Sequence, residues 1–164
     1  MSTTAISVQE YLSTVYRPDC DYVDGEVQER NLGEFDHARL QLAIAAYFYA
    51  RRKEWGITVV PEQRVQVAPE RFRIPDVCVV LGQPREQVFR TPPFICIEIL
   101  SPEDRLSRMH DRFSDYFVFG VPFVFLVDPA TRKAWRCKPG AMVEVSEIRT
   151  ENPEMVVPLT ELFE

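Results

Sequence analysis

The chain has 164 residues, 46% hydrophobic and 27% charged, with a formal net charge of −6. That length predicts a single domain over residues 1–164 with one sizeable core, and the acidic balance excludes a protein that coats nucleic acid non-specifically while leaving room for a local basic groove. No apolar run is long enough to span a membrane. The opening MSTTAISVQEYLSTVYRPD lacks the basic and long apolar regions of a signal peptide. Cys20, Cys78, Cys96 and Cys137 show no CxxC spacing and no nearby histidine. They argue against a zinc site or disulfide framework and for a cytoplasmic protein.

In chain order, Ser7 and Glu10 form a capping-box pattern ahead of Tyr11, Leu12 and Val15, which predicts a short first helix. Asp24-Gly25 within CDYVDGEVQER (20–30) signals a hairpin. Residues 35–55, FDHARLQLAIAAYFYARRKEW, carry Leu40, Ala43, Ile44, Tyr47 and Phe48 at helical spacing, and Gly56 suits the stop. ITVV, EQRVQV and IPDVCVVL read as strands, with EQRVQV alternating like a half-exposed one. FICIEILSP (94–102) reads as a central strand. Residues 103–119 predict a second long helix ending at Gly120. FVFLV is a buried strand stopped by Asp128-Pro129. AWRCKP and MVEVSEI read as a hairpin, and LTELFE as a final helical turn. The expected fold class is α/β or α+β, a mixed sheet packed against two long helices.

Three carboxylates stand in apolar surroundings. Glu26 closes the Asp-Gly turn, Asp76 opens the strand VCVV after Pro75, and Glu98 interrupts ICIEIL. Proline holds its predecessor Ile74 extended, which makes Asp76 a fixed launch point into its strand. If the strands of Asp76 and Glu98 are neighbours, their carboxylates converge, and each raises the other's pKa. A divalent cation resolves that conflict, and oxygen ligands suit Mg²⁺ or Mn²⁺ rather than zinc. The alternative for each acid alone is a turn residue or a solvated strand edge. In the following helix Leu106, Met109, Phe113, Tyr116 and Phe117 share one face, with Arg105, Arg108 and Arg112 along its border. Arginines often lie along a helix edge with the head in water. Arg112, one turn before Tyr116, can instead reach toward Glu98.

YVDGE (22–26), IPDVCVV (74–80), ICIEILSPEDR (95–105) and YFVFGVPFVFLVDP (116–129) occur in this order, and together they resemble the Uma-two family of the PD-(D/E)XK, restriction-endonuclease-like superfamily. The resemblance covers about residues 8 to 140. It implies a central mixed β-sheet flanked by helices. It also implies roles: Glu26 as the first acid, Asp76 as the acid of the Pro-Asp motif, and Glu98 as the acid of the next strand. A metal would be held by Asp76, Glu98 and the main-chain carbonyl near Ile99. His37 matches a histidine at the start of the family's long helix and would approach the substrate phosphate with Arg105 and Arg108. The superfamily lysine normally lies two residues after the second acid, where this chain has Leu100. In this family it often moves to the following helix, where the matching position is Arg112. The three lysines, Lys53, Lys133 and Lys138, all lie elsewhere. Arginine stabilises charge on a phosphate but does not act as a general base.

The resemblance implies a Mg²⁺- or Mn²⁺-dependent endonuclease acting on nucleic acid, DNA foremost, with Glu26, Asp76, Glu98 and Arg112 as catalytic residues. The alternative is a catalytically inactive nuclease-like domain, with Glu98 paired to Arg112, that binds nucleic acid or a protein partner. A homodimer is also expected, through an apolar surface of the last hairpin and the aromatic-rich strands.

Overall fold

The computed structural model describes residues 4–30 and 33–164. Helix α1 (Val8–Ser13) starts where the Ser7 hydroxyl accepts the Glu10 N–H at 3.1 Å. This satisfies one of the helix's otherwise unpaired donors. Strands β1 (Asp21–Val23) and β2 (Glu26–Gln28) form the hairpin predicted from Asp24-Gly25. Both turn residues have positive φ, 48° and 92°, as the tight two-residue hairpin turn requires. A side chain at Gly25 would also collide with Ala5, 2.9 Å from its Cβ position.

The predicted helix over 35–55 is two helices, α2 (Phe35–Ala50) and α3 (Arg52–Trp55), interrupted at Arg51, where φ is −104° and ψ 5°. Gly56 ends α3 in the left-handed conformation. Strands β3 (Ile57–Pro61), β4 (Val65–Ala68), β5 (Arg71–Arg73), β6 (Val77–Leu81) and β7 (Ile95–Ile99) follow. Helix α4 (Leu106–Phe119) ends at Gly120. The chain closes with β8 (Phe123–Asp128), β9 (Lys133–Lys138), β10 (Ala141–Val145), β11 (Glu147–Thr150), β12 (Met155–Pro158) and a 3₁₀ turn (Leu159–Glu161).

Helix α4 begins later than residue 103 because residues 101–104 close a turn of their own. Asp104 accepts the Ser101 N–H at 2.7 Å, and its own N–H returns to the Ser101 carbonyl. Leu106, expected on the buried face, is 65% exposed in the first turn of α4. Met109, Phe113 and Tyr116 are buried as expected.

Six strands form a mixed sheet in the order β10-β9-β8-β7-β6-β3. Only β7 and β8 run parallel, and α4 is the crossover between them. Alternation along the strands divides the core into two layers. Val77, Val79, Ile95, Ile97 and Ile99 face α2 and pack with its Leu40, Ile44 and Phe48. Cys78, Cys96, Val124 and Leu126 face α4 and pack with Met109, Phe113 and Tyr116. Glu98 shares the parity of Cys96 and therefore points to the α4 side. A second sheet, β2-β1-β5-β4, covers its own aromatic cluster of Tyr11, Tyr22 and Phe72. All four cysteines are buried thiols. No helix among the described residues is long and apolar enough to cross a membrane.

Candidate active site

The antiparallel register of β6 and β7 aligns Val77 with Ile97 and Cys78 with Cys96. One further step along both strands sets Asp76 opposite Glu98. Both carboxylates are buried, 5% and 4% exposed, at the end of the sheet where β6 begins and β7 finishes. Two like charges removed from water repel and lack solvation, so the surrounding cations and donors decide whether both ionise.

Asp76 is well supplied. Its Oδ1 faces Arg30 Nη2 at 3.0 Å, and its Oδ2 accepts the Ile99 N–H at 2.7 Å and lies 3.4 Å from His37 Nε2. Gln41 of α2 fixes the Asp76 carbonyl at 2.9 Å. Burial pushes the Asp76 carboxyl up, but His37, Arg30 and the Ile99 amide outweigh it and hold the pKa below the ordinary value. The hydrogen bond to Asp76 in turn raises His37 against its own desolvation.

Glu98 is supplied poorly. The Tyr116 hydroxyl donates to Oε1 at 2.5 Å, and Arg112 Nη1 stands 3.5 Å from Oε2. Burial, with the Asp76 charge beside it, pushes the Glu98 carboxyl up to about 8 despite Arg112. Glu98 is thus a buried acid short of positive charge. In a strand, the N–H and C=O of one residue point to the same edge, so the Ile99 carbonyl lies on the edge whose N–H binds Asp76. Two carboxylates and this carbonyl make an oxygen-only donor set that fits Mg²⁺ or Mn²⁺. Among the described residues no group of three or more His, Cys, Asp and Glu side chains is arranged to hold a metal.

The cavity at these groups has a volume of about 30 Å³ and is lined by Arg30, His37, Asp76, Glu98, Ile99, Ser101, Asp104 and Arg112. That is room for a water or a small ion. A wider polar cleft of about 290 Å³ shares Arg30, Asp104 and Arg112 with it and adds Arg105 and Arg108 together with Glu29 and Glu103. Another cleft, of about 750 Å³, lies between α4 and the β9–β10 hairpin and is lined by no carboxylate.

Of the residues expected at the site, Asp76, Glu98, Ile99, Arg112 and His37 come together, and Arg105 and Arg108 line the adjoining cleft. Glu26 does not join them. It is exposed beside the turn and lines neither cavity. The hairpin pairs Asp21 with Gln28 and Val23 with Glu26. Glu26 therefore shares the face of Asp21 but sits about 7 Å farther along the ribbon. The hairpin acid that reaches Arg112 is Asp21, 1% exposed, with Oδ2 at 3.6 Å from Arg112 Nε. Asp21 Oδ1 and Arg112 Nε are both buried without a hydrogen-bond partner among the described residues.

Asp21 is held by Arg73, itself 1% exposed, at 3.2 Å. Arg73 also binds Asp111 and Asp115 of α4, each at 2.7 Å. This network fastens α4, and with it Arg112, to the small sheet. Sequence reasoning missed Asp21, Arg30 and Arg73. The one signal for Asp21 was a second acid in the same hairpin as Glu26.

A family model described as "Putative restriction endonuclease" (Uma2) matches residues 8–164. Among solved structures, the chain is similar to one described as a putative nuclease belonging to DUF820, from Anabaena variabilis ATCC 29413. The TM-score is 0.80 at 19% sequence identity, covering 96% of this chain and 97% of that one. A search of the curated proteins gives no match. With its mixed sheet, flanking helices and a family match over residues 8–164, the chain belongs to the Uma2 family and has a restriction-endonuclease-like fold.

Proposed function

We propose that the chain acts as one metal-dependent nuclease domain that hydrolyses phosphodiester bonds in nucleic acid, DNA foremost, in the cytoplasm. The observation that carries this reading is the buried Asp76–Glu98 pair, set opposite by the β6–β7 register and opening beside an arginine-lined cleft. Asp76, Glu98 and the Ile99 carbonyl would hold Mg²⁺ or Mn²⁺. When bound, such an ion supplies Lewis acidity toward a phosphoryl oxygen and lowers the pKa of a water.

The chain's own residues supply the rest. Arg112 and Arg30 line both the small cavity and the cleft, where they neutralise phosphate charge that grows in the transition state. His37 lines the same cavity and orients Asp76 through Nε2, and Asp76 in turn raises the His37 pKa. Arg105 and Arg108 contact the nucleic-acid backbone on either side of the scissile bond. Tyr116 fixes one Glu98 oxygen and leaves the other toward the cavity. Asp21 positions Arg112, and Glu26 has no part in this scheme.

The test is cleavage of supercoiled plasmid, single-stranded DNA and RNA with Mn²⁺ or Mg²⁺. Wild type should cut at least one of these, and Asp76→Asn should cut none. Cutting by Asp76→Asn at the wild-type rate would refute the assignment.

One observation favours a second reading. Arg30 and Arg112 already face the two acids at 3.0 and 3.5 Å, so the pair has some charge compensation without an ion. In that case the domain binds nucleic acid or a partner protein without cutting, and it retains that binding with a chelator present.

A further inference from the structure

Helix α2 is apolar on two faces. Leu40, Ile44 and Phe48 are buried against the sheet. On another face Phe35, Leu42 and Tyr49 are 77, 71 and 56% exposed, and Ala38 and Ala46 beside them are exposed as well. At about 100° per residue, these five side chains fall within roughly 40° of the Leu42 direction. A surface helix normally turns charged and polar residues to that side.

The order of residues in this stripe is symmetric. Phe35 and Tyr49 lie seven positions on either side of Leu42, and Ala38 and Ala46 lie four positions on either side. We infer that a second copy of this chain docks here, with the two α2 helices antiparallel and a two-fold axis passing at Leu42. Leu42 then meets its own copy, Phe35 meets the partner's Tyr49, and Ala38 meets the partner's Ala46. Alanine at both flanking contacts lets the helices approach to about 8 Å.

Charge fixes the same direction. Glu34 stands at the start of α2, and Arg52 and Lys53 follow its end. Antiparallel pairing sets the acidic start of one helix beside the basic end of the other and opposes the two helix dipoles. Parallel pairing would put like charges together. The three large side chains expose on the order of 400 Å² per copy. With the alanines and the charged rim, the interface reaches roughly 1,000 Å² in total, the lower edge of a specific one. The dimer is therefore reversible and depends on concentration. This inference is independent of the nuclease reading.

The experiment is sedimentation velocity of the full chain from low to high micromolar concentration. Wild type should shift from monomer to dimer as the concentration rises. Leu42→Lys should weaken the dimer at least about thirtyfold, since two cations face each other at the axis. Its circular dichroism and melting should match wild type, because Leu42 is exposed. An equimolar mixture of Leu42→Lys and Leu42→Glu should recover the dimer, and only a contact of residue 42 with itself produces that rescue. Wild type that stays monomeric overturns the inference. So does a dimer that persists in Leu42→Lys, which would place the contact elsewhere, or a mixture that stays monomeric.

Discussion

Asp76 and Glu98 are cross-strand neighbours at one end of the sheet, yet their surroundings pull their pKa values in opposite directions. Asp76 sits below its ordinary value under His37, Arg30 and the Ile99 amide, whereas Glu98 rises to about 8 through burial. For the proposed metal site, one acid is already ionised and the other must lose a proton first.

That asymmetry gives the metal-free protein a pH signature. Between about 4.5 and about 8, Glu98 holds a proton in the folded state that the unfolded chain has released. The folded state then binds more protons, so this group's contribution to stability falls as pH rises through that window. Glu98→Gln removes the titration. Urea unfolding at pH 5 and pH 8 with a chelator present should show a smaller loss of stability in Glu98→Gln than in wild type.

Arg112 stands where the resemblance expects lysine, and it is assigned to charge stabilisation rather than proton transfer. Arg112→Ala should lower the single-turnover cleavage rate by about 10² to 10³. Arg112→Lys should retain more activity, and its rate should show no new ionisation near neutral pH. Asp21→Asn keeps the shape but loosens the hold on Arg112. It should reduce kcat by about tenfold with little change in KM. A change in KM alone would remove Asp21 from this role.

Arg105 and Arg108 line the outer cleft and stand outside the small cavity at the two acids. Replacing either with Ala should weaken binding of a non-cleavable oligonucleotide similarly across sequences. Each replacement should also lower the slope of log affinity against log salt by about 1. An unchanged slope would move the nucleic-acid path off this cleft.

Arg73 tests the support beneath the site. It is fully buried among Asp21, Asp111 and Asp115. Arg73→Met fills a similar volume but leaves Asp21 buried without its partner. The expected loss is about 3–5 kcal/mol of unfolding free energy, read by denaturant titration. Little or no loss would mean that the network contributes nothing net.

The sequence made some of this site legible and hid the rest for physical reasons. Asp76 stood out because Pro75 fixes the chain before it, and Glu98 because it breaks an apolar run. Their meeting needed only that the two strands be neighbours, which the β6–β7 pairing supplies. That Asp21 rather than Glu26 reaches Arg112 was not legible. Both acids share one face of a three-residue ribbon, and only the distance from the turn decides which one reaches α4. The pattern assigns no element to the strand Arg71–Arg73, because its buried arginine is satisfied by carboxylates 38 to 52 positions away in the chain. Local pattern carries no trace of such pairing. The early start predicted for α4 failed for a similar reason, since the turn closed by Asp104 uses residues that also begin helices well.

The most direct test of the cation-binding pair is calorimetric titration of Mn²⁺ into the folded protein, alone and with a non-cleavable oligonucleotide. Asp76→Asn and Glu98→Gln are titrated in parallel. The cation-binding pair requires one site in wild type and its loss in both variants. A folded wild type that binds no Mn²⁺ in either condition, or variants that bind as wild type does, would contradict it.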